Sequence, residues 1–255
     1  MEHDRQAIAS FQVASPRHAT ASREVDERAV TLLRPSSLEA DQYRVLRWQL
    51  EQLQRSRGAT VVAVSSPGVG DGKTTTAVNL AGALAQDPGT RVLLVDADLR
   101  RPAVAGRLGL RERPDEAGLA GALAEPERTL ASLVRKRPPF PLAVLPAGQA
   151  AGEPFELLRS DRFAELLALA RREYQFVILD TPPLLLLPDC RVVAERVDGF
   201  LLVVAAHATP RAAVASALNA LAPEKVLGIV FNNEDQPRSL YYHRYYSAAR
   251  RGGRA

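Results

Sequence analysis

A glycine-rich loop between an apolar run and a helical pattern constrains this sequence more than any other feature. Residues 60–64 have the composition of a buried strand, and residues 77–84 repeat apolar side chains with the period of a helix. Glycines let the intervening loop turn tightly, so that successive N–H groups and the positive end of the helix converge on an anion. The pattern predicts a phosphate-binding loop. The loop reads Ser65-Ser66-Pro67-Gly68-Val69-Gly70-Asp71-Gly72-Lys73-Thr74-Thr75-Thr76.

Two side chains of this loop have a direct chemical use. Lys73 places a point charge at the β and γ phosphates of a nucleotide, and Thr74 offers a hydroxyl to Mg²⁺. The strict pattern has glycine six residues before the lysine, where this chain has Pro67. A plain glycine-rich turn with a surface lysine is therefore the alternative. The candidate nucleotide-binding residues are Gly68, Val69, Gly70, Asp71, Gly72, Lys73, Thr74 and Thr75.

Composition limits the class of protein. At 255 residues the chain is long enough for one α/β domain with tails. Its formal net charge of +4 owes much to arginines among the last residues, which argues for a local basic tail and against a nucleic-acid partner. Cys190 is the only cysteine, so we expect neither disulfides nor a cysteine metal cluster. No apolar run approaches the roughly 20 residues of a membrane span, and we expect a cytoplasmic protein.

Strand and helix patterns alternate along the rest of the sequence. Such alternation predicts an α/β fold with a doubly wound, mostly parallel sheet and helices on both faces. We expect a disordered arm over residues 1–34, one domain over 35–233, and a flexible tyrosine-rich, basic tail over 234–255. Strands are predicted within 91–100 and at 142–145, 176–180, 199–205 and 226–231, and helices at 38–55, 119–133, 156–172, 189–196 and 209–221.

Three acidic side chains lie where two of the predicted strands end. Asp96 and Asp98 close one strand, and Asp180 closes another. The carboxyl ends of strands in an open parallel sheet face the ligand crevice. An isolated acid at any one of these positions would be more typical of a helix cap or a turn than of a binding site. Together with Lys73 and Thr74 they predict a site for Mg²⁺ and a nucleotide, because the ion needs oxygen ligands.

The predicted helix at 38–55 carries charges and a tryptophan off its apolar stripe. A charged helix face is usually solvated, but a tryptophan among arginines is typical of protein contacts. A solvated face and an oligomer interface therefore both remain open. The residues concerned are Asp41, Arg44, Arg47 and Trp48.

With these motifs the sequence resembles the bacterial tyrosine kinase (BY-kinase) family, the autokinases of capsule and exopolysaccharide synthesis, from about Leu38 to Tyr246. Asp41, Arg44 and Arg47 resemble its Glu-x-x-Arg-x-x-Arg oligomer helix, with Asp in place of Glu. Val69 and the stretch from Glu153 to Glu156 depart from the family pattern. The two stretches most similar to its acidic motifs are Leu93-Leu94-Val95-Asp96-Ala97-Asp98-Leu99-Arg100 and Val177-Ile178-Leu179-Asp180-Thr181-Pro182-Pro183.

The resemblance implies a P-loop NTPase fold and an ATP-dependent protein-tyrosine kinase that uses ATP and Mg²⁺. It implies that Asp98 and Asp180 serve Mg²⁺, directly or through water, and that Asp96 accepts the tyrosine proton. It also implies that Asn232 contacts the adenine edge, although Asn232 is equally an ordinary polar residue at a strand end. The implied catalytic residues are Lys73, Asp96, Asp98 and Asp180, and the implied metal-binding residues are Thr74, Asp98 and Asp180.

The partners are implied in the same way. We expect a homo-oligomer, a separate membrane-spanning activator of the polysaccharide co-polymerase type, and a cognate tyrosine phosphatase. The protein would then lie at the inner face of the cell membrane, held there by its activator.

Four of the six tyrosines fall close together near the C-terminus. The resemblance implies that they accept phosphate in trans. By composition alone, the cluster is equally typical of a platform on which nucleic-acid bases stack or of a peptide that adheres to other proteins. Two other functions stay open. A partitioning or positioning ATPase would carry a signature lysine where this chain has Gly68, and a nucleotide-switched regulator would transfer nothing. The candidate acceptors are Tyr241, Tyr242, Tyr245 and Tyr246.

Overall fold

The structure, a computed structural model, describes residues 24–110, 117–149 and 152–233. Within these residues seven strands form one sheet in the order β3-β4-β2-β5-β1-β6-β7. All neighbours are parallel except β3, which runs antiparallel at one edge. The strands are β1 (Val61–Ser65), β2 (Val92–Asp96), β3 (Arg135–Arg137), β4 (Phe140–Leu145), β5 (Phe176–Asp180), β6 (Gly199–Ala205) and β7 (Val226–Asn232).

Helices cover both faces of this sheet, which confirms the predicted doubly wound α/β fold. The helices are α1 (Val30–Leu33), α2 (Leu38–Arg57), α3 (Lys73–Ala85), α4 (Val104–Arg107), α5 (Gly118–Ala124), α6 (Leu130–Leu133), α7 (Pro154–Arg159), α8 (Asp161–Glu173), α9 (Asp189–Arg196) and α10 (Arg211–Asn219). None of the helices in the described residues combines the length and the apolarity that crossing a bilayer requires.

The four central strands, β1, β2, β5 and β6, are buried along their whole length. Successive side chains point to opposite faces of a strand. Val61 therefore packs in the core under α8 and α9, while Val62 packs in the core under α2 and α3. Because β1 lies between β5 and β6, and β2 lies beside β5, the ends of β1, β2 and β5 meet at one edge of the sheet.

Two predicted helices are each divided into two shorter ones. The region predicted as one helix at 119–133 contains α5 and α6, because Pro126 interrupts the pattern and the Thr129 side chain caps α6. The helix predicted at 156–172 is divided at Ser160, whose backbone is extended and whose hydroxyl accepts the N–H of Phe163 at the start of α8.

The predicted disordered arm is wrong for residues 24–34, which pack against α3. The Thr31 N–H donates to Asn79 Oδ1 at 3.0 Å, and Asn79 Nδ2 donates to the Arg28 carbonyl at 2.7 Å. A side chain at Gly82 would place its Cβ 2.4 Å from Thr31 Oγ1, so glycine permits the close approach. The sequence does not indicate this packing for two reasons. Asn79, which holds the segment, lies on an apolar helix far along the chain, and the four residues of α1 are too few to show a helical period. Residues 1–23 and 234–255 lie outside the described residues.

Candidate nucleotide-binding and phosphoryl-transfer site

The phosphate loop leads from the centre of the sheet into α3. β1 ends at Ser65, and α3 begins at Lys73. Gly70 and Gly72 have φ of 91° and 97°, a backbone conformation that side chains disfavour. A Cβ at Gly72 would also lie 1.9 Å from Asn232 Nδ2. Glycine is therefore required there both by the turn and by the neighbouring strand.

Asp71 shapes this loop from within. Its Oδ2 accepts the Gly68 N–H at 2.9 Å, and its Oδ1 accepts the Thr209 hydroxyl at 2.7 Å. Asn232 Nδ2 donates to the Asp71 carbonyl at 3.0 Å. These contacts tie the loop to the segment after β6 and to the end of β7. Asp71, predicted to bind phosphate, directs its carboxylate to the protein itself.

Lys73 lies between two carboxylates. Its Nζ is 2.9 Å from Asp98 Oδ2 and 3.6 Å from Asp180 Oδ1. Burial opposes the charged amine, but the carboxylates of Asp180 and Asp98 outweigh it and raise the pKa of Lys73 above its ordinary value. The side chain therefore stays protonated throughout the physiological range, which is the state that attracts anions.

Asp180 is fully buried beside Thr74. Its Oδ2 accepts the Thr74 hydroxyl at 2.6 Å. Among the described residues its Oδ1 has no hydrogen-bond partner, since Lys73 Nζ is beyond hydrogen-bond length. Burial raises the pKa of Asp180 to about 6, although the charge of Lys73 and the Thr74 hydroxyl act in the opposite direction. A buried carboxylate oxygen in this condition is suited to a cation.

Asp96 lies behind these groups and is also fully buried. Its Oδ2 accepts the N–H groups of Ala103 and Val104, both at 2.9 Å, where α4 begins. The register of β2 and β5 places it directly opposite Asp180. Burial, assisted by the charge of Asp180, raises the pKa of Asp96 to about 7.

These residues fit a Mg²⁺ ion that is shared with phosphate groups. In the part of the chain that the structure describes, no three acidic, histidine or cysteine side chains are grouped to hold a metal by themselves. Mg²⁺ usually keeps several waters and binds one or two carboxylates plus substrate phosphates. The Thr74 hydroxyl, the Asp98 carboxylate and Asp180 Oδ1, which accepts no hydrogen bond from the described residues, are such a donor set, with Lys73 beside them for the phosphates.

The remaining predicted site residues are more scattered. Val69 is exposed at the tip of the loop, and Thr75 is half-buried in the first turn of α3. Asn232 touches the loop, so its side chain lies at the site edge. The four candidate acceptor tyrosines, Tyr241, Tyr242, Tyr245 and Tyr246, lie outside the described residues.

The α2 residues lie far from this site. Arg47 donates to Glu51 at 2.6 Å and to the Ala83 carbonyl at 3.0 Å. Ala83 lies ten residues beyond Lys73 along α3, roughly 15 Å at 1.5 Å per residue. Arg47 is thus already engaged within its own chain. Of the other three, Arg44 pairs with Asp41, and Trp48 is 60% exposed.

Two contacts near the site escaped the sequence analysis. One joins Asp71 to Thr209, and the other joins Arg100 to Asp189. The partners are separated by 138 and 89 residues, so no local pattern could indicate either pair.

Comparison with known proteins places this geometry in a family. A family model described as an AAA domain matches residues 59–204. The chain is 34% identical over 223 residues to Tyrosine-protein kinase YwqD of Bacillus subtilis (strain 168), an alignment that covers 87% of this chain and 92% of that protein. Among solved structures, the kinase domain of Escherichia coli tyrosine kinase ETK superposes with a TM-score of 0.77 at 26% identity, covering 89% of this chain and 88% of that one.

A second type of relative is much longer. The chain is 32% identical over 213 residues to the Succinoglycan biosynthesis transport protein ExoP of Rhizobium meliloti (strain 1021). The alignment covers 79% of this chain but only 26% of ExoP. The similarity therefore concerns about a quarter of that protein.

The buried acids predict a pH dependence of stability in metal-free and nucleotide-free protein. The folded state keeps a proton on Asp96 up to about pH 7, whereas the unfolded chain releases it near pH 4. Since the folded state then binds more protons, stability falls as the pH rises from about 4 to about 7. Asp96→Asn should remove part of this fall, by several degrees in Tm. Thermal unfolding in EDTA at pH 5 and pH 7.5 tests it, and equal falls in the two proteins would contradict it.

Proposed function

This chain belongs to the AAA domain family of P-loop proteins and to the bacterial tyrosine kinases, and on that premise we propose that it phosphorylates tyrosines in the C-terminal segment of a neighbouring copy. Protein-tyrosine kinase activity comes with the family. The roles of the individual side chains, the acceptor tyrosines and the assembly are the proposal.

One observation carries the site assignment. Lys73, Thr74, Asp98 and Asp180 converge at the phosphate loop, and one buried oxygen of Asp180 lacks a hydrogen-bond partner among the described residues. A helix N-terminus with a glycine-rich loop binds phosphate through its backbone N–H groups. A donor set in which one buried carboxylate oxygen accepts no hydrogen bond is suited to the cation that accompanies a nucleotide.

In the proposed reaction the tyrosine oxygen attacks the γ-phosphorus of ATP. The bond between the γ-phosphorus and the oxygen that bridges it to the β-phosphorus breaks, and ADP leaves. Lys73 binds the β and γ phosphates, and Thr74, Asp98 and Asp180 hold Mg²⁺. When bound, Mg²⁺ supplies neutralising charge to the phosphates. Asp96 takes the tyrosine proton; its burial, which raises the pKa of Asp96 above the ordinary value, suits this role, because a general base works best when its pKa lies near the operating pH. Asn232 contributes a contact to the adenine of ATP.

The tail is a reasonable acceptor because of where the described fold ends. Asn232, on the last strand, touches the phosphate loop. From there to Tyr246 is 14 residues, a root-mean-square distance of about 20 Å for a flexible chain. That reach allows attack within one subunit or on a neighbour. The family resemblance favours the neighbour, and phosphorylation would add about two negative charges per tyrosine and loosen the assembly.

The cellular setting follows from the same resemblance. The name of ExoP refers to succinoglycan biosynthesis and transport, and this chain matches about a quarter of that protein. We extend this setting to the chain as a regulator of exopolysaccharide or capsule synthesis and export. A separate membrane-spanning activator would hold it at the inner face of the cell membrane, and a cognate phosphatase would reset it. The partitioning ATPase is less suitable, since Gly68 stands in place of its signature lysine.

The acceptor prediction is tested by mixing two variants of the full chain, one without kinase activity and one without acceptor tyrosines. One chain carries Lys73→Met and keeps its tyrosines. The other keeps Lys73 but has Phe at all four tail tyrosines. We expect phosphate on the tail of the Lys73→Met chain in the mixture. Incubated alone, the Lys73→Met variant should be labelled about 100-fold or more slowly, because charge stabilisation at the transferred phosphate is lost. Mass spectrometry after incubation with ATP and Mg²⁺ measures it.

Two results of that mixture would contradict the proposal. Wild type that labels itself while the mixed Lys73→Met tail stays unlabelled would exclude transfer in trans. Wild type that stays unlabelled, even with its membrane activator present, would exclude the kinase function itself.

The division of roles between the acids gives a separate prediction. Asp96→Asn should leave the affinity for Mg²⁺ and ATP within a few-fold of wild type while slowing transfer about 100-fold, because only the proton acceptor is lost. Asp98→Asn should damage both, because it removes a metal-side ligand. Fluorescent nucleotide titration and single-turnover labelling measure these quantities. An equal loss of affinity in the two variants would show that the roles are divided wrongly.

The proposed interface on α2 depends most on its exposed aromatic side chain. Since Arg47 is engaged within its own chain, we expect Trp48, with Asp41 and Arg44 around it, to carry the contact. Trp48→Ser should weaken self-association by about 2 kcal/mol or more, as for a buried interface tryptophan. Light scattering over a concentration series measures this, with Phe231→Ser, which replaces a similarly exposed aromatic on β7, as the matched control. An unchanged mass for Trp48→Ser would show that this face of α2 is solvated and is not an interface.

A further inference from the structure

Arg100 joins three separate parts of the fold at the edge of the site. Its Nε donates to Asp189 Oδ2 at 2.7 Å, and its Nη2 donates to Asp189 Oδ1 at 3.2 Å. The same Nη2 donates to the carboxylate of Glu153. Asp189 is the first residue of α9, and Glu153 directly precedes α7. The turn after β2 is thereby fastened to both helices.

The two acidic partners of Arg100 differ in burial. The Asp189 side chain is wholly buried, whereas that of Glu153 is 57% exposed. A two-point contact between a guanidinium and a buried carboxylate fixes orientation as well as charge, while an exposed ion pair contributes little. Asp189 is therefore the partner that sets the position of Arg100. We call the pair of Arg100 and Asp189 the clamp.

On one side the clamp holds the turn that carries Asp98. Arg100 follows Asp98 by two residues, and the next residue, Arg101, donates its backbone N–H to Asp98 Oδ1 at 3.0 Å. The other oxygen of Asp98 faces Lys73. A displacement of Arg100 would thus move both the backbone of Asp98 and the N–H group that orients its carboxylate.

On the other side the clamp reaches the loop that follows Asp180. Cys190, next to Asp189 in α9, donates its thiol to the Pro182 carbonyl at 3.1 Å. The same carbonyl accepts the Ser65 hydroxyl at 2.7 Å, where β1 ends. Pro182 follows Asp180 by two residues. Helix α9 therefore links the turn after β2 with the loop after β5.

We propose that the clamp is a positioning device, in which Arg100 sets the spacing between the carboxylates of Asp98 and Asp180 across the site. Arg100 acts through Asp98 and is not a catalytic residue. The inference rests on the proposed function in one respect, the use of Asp98 for Mg²⁺ and ATP. Loss of the clamp should weaken nucleotide binding that depends on Mg²⁺ and leave binding by the phosphate loop alone unchanged.

A similar ion pair at the opposite end of the sheet provides the control. Arg171 Nη1 donates to Asp198 Oδ2 at 2.7 Å, and Asp198 also accepts the N–H of Val61, where β1 begins. The side chains of Arg171 and Arg100 are 33% and 29% exposed. Arg171→Ala should therefore lower stability by removing a charged hydrogen bond to Asp198, whose side chain is 26% exposed, at a place remote from the carboxyl ends of the strands.

The experiment compares Arg100→Ala, Arg100→Lys and Arg171→Ala in the full chain. The readouts are Tm, the Kd of fluorescent mant-ADP with and without Mg²⁺, and kcat and KM for phosphate transfer from ATP. Arg100→Ala should raise the Kd in Mg²⁺ and lower kcat by about tenfold, the usual effect of losing a group that orients a ligand, with the Kd in EDTA within about twofold of wild type. Arg100→Lys should recover part of both, and Arg171→Ala should lower Tm alone.

Equal nucleotide affinities and rates in Arg100→Ala and Arg171→Ala would overturn the proposal. Should Arg100→Ala not fold, Asp189→Asn keeps the volume of the buried side chain and removes its charge. That variant should reproduce the Mg²⁺-specific loss, and normal Mg²⁺-dependent binding in it would overturn the proposal equally.

Asp98→Asn, measured alongside, separates the two levels of inference. If Asp98→Asn leaves Mg²⁺-dependent binding intact, the proposed role of Asp98 fails, and the clamp proposal fails with it. If Asp98→Asn loses that binding while the clamp variants keep it, only the clamp proposal fails.

Discussion

The contact between Lys73 and the carboxylates of Asp98 and Asp180 is the interaction on which the geometry of the site depends. These residues belong to α3, the turn after β2 and the end of β5, so one ammonium group gathers three elements. Two unit charges about 4 Å apart interact by about 4 kcal/mol at an effective dielectric constant of 20. One cation cannot offset the burial and mutual repulsion of Asp96, Asp98 and Asp180. The deficit appears as the raised pKa values of Asp96 and Asp180.

The sheet could be predicted because its central strands are buried on both faces and therefore appear as unbroken apolar runs. The rule for the carboxyl ends of parallel strands is sufficient to predict that Asp96 and Asp180 lie at the same edge of the sheet, where the structure has them. The short elements could not be predicted in this way. The order of residues 24–34 depends on Asn79, a polar side chain inside an apolar helix, and the division of the helix before α8 depends on the backbone of Ser160.

The candidate site divides along the same line. The convergence of Lys73, Thr74, Asp98 and Asp180 follows from motif spacing and strand direction, and the structure brings these four together. Their sequence neighbours predict phosphate binding for Asp71 and a protein contact for Arg47, yet each directs its side chain to a distant part of its own chain. Local sequence indicates which residues reach an edge of the sheet. It does not indicate which of them are already engaged there.

The charge balance of the site also bears on how a kinase of this kind would release its product. Without nucleotide and metal, three acids face one lysine, so the site attracts a cation and repels further negative charge. A phosphotyrosine carries about two negative charges. While Mg²⁺ and ADP remain, the metal ion offsets part of that repulsion. Once they leave, Lys73 is the cation that faces Asp96, Asp98 and Asp180, and these acids outnumber it. In the proposed reaction, the excess of buried carboxylates, which costs stability in the empty protein, would favour release of the phosphorylated side chain.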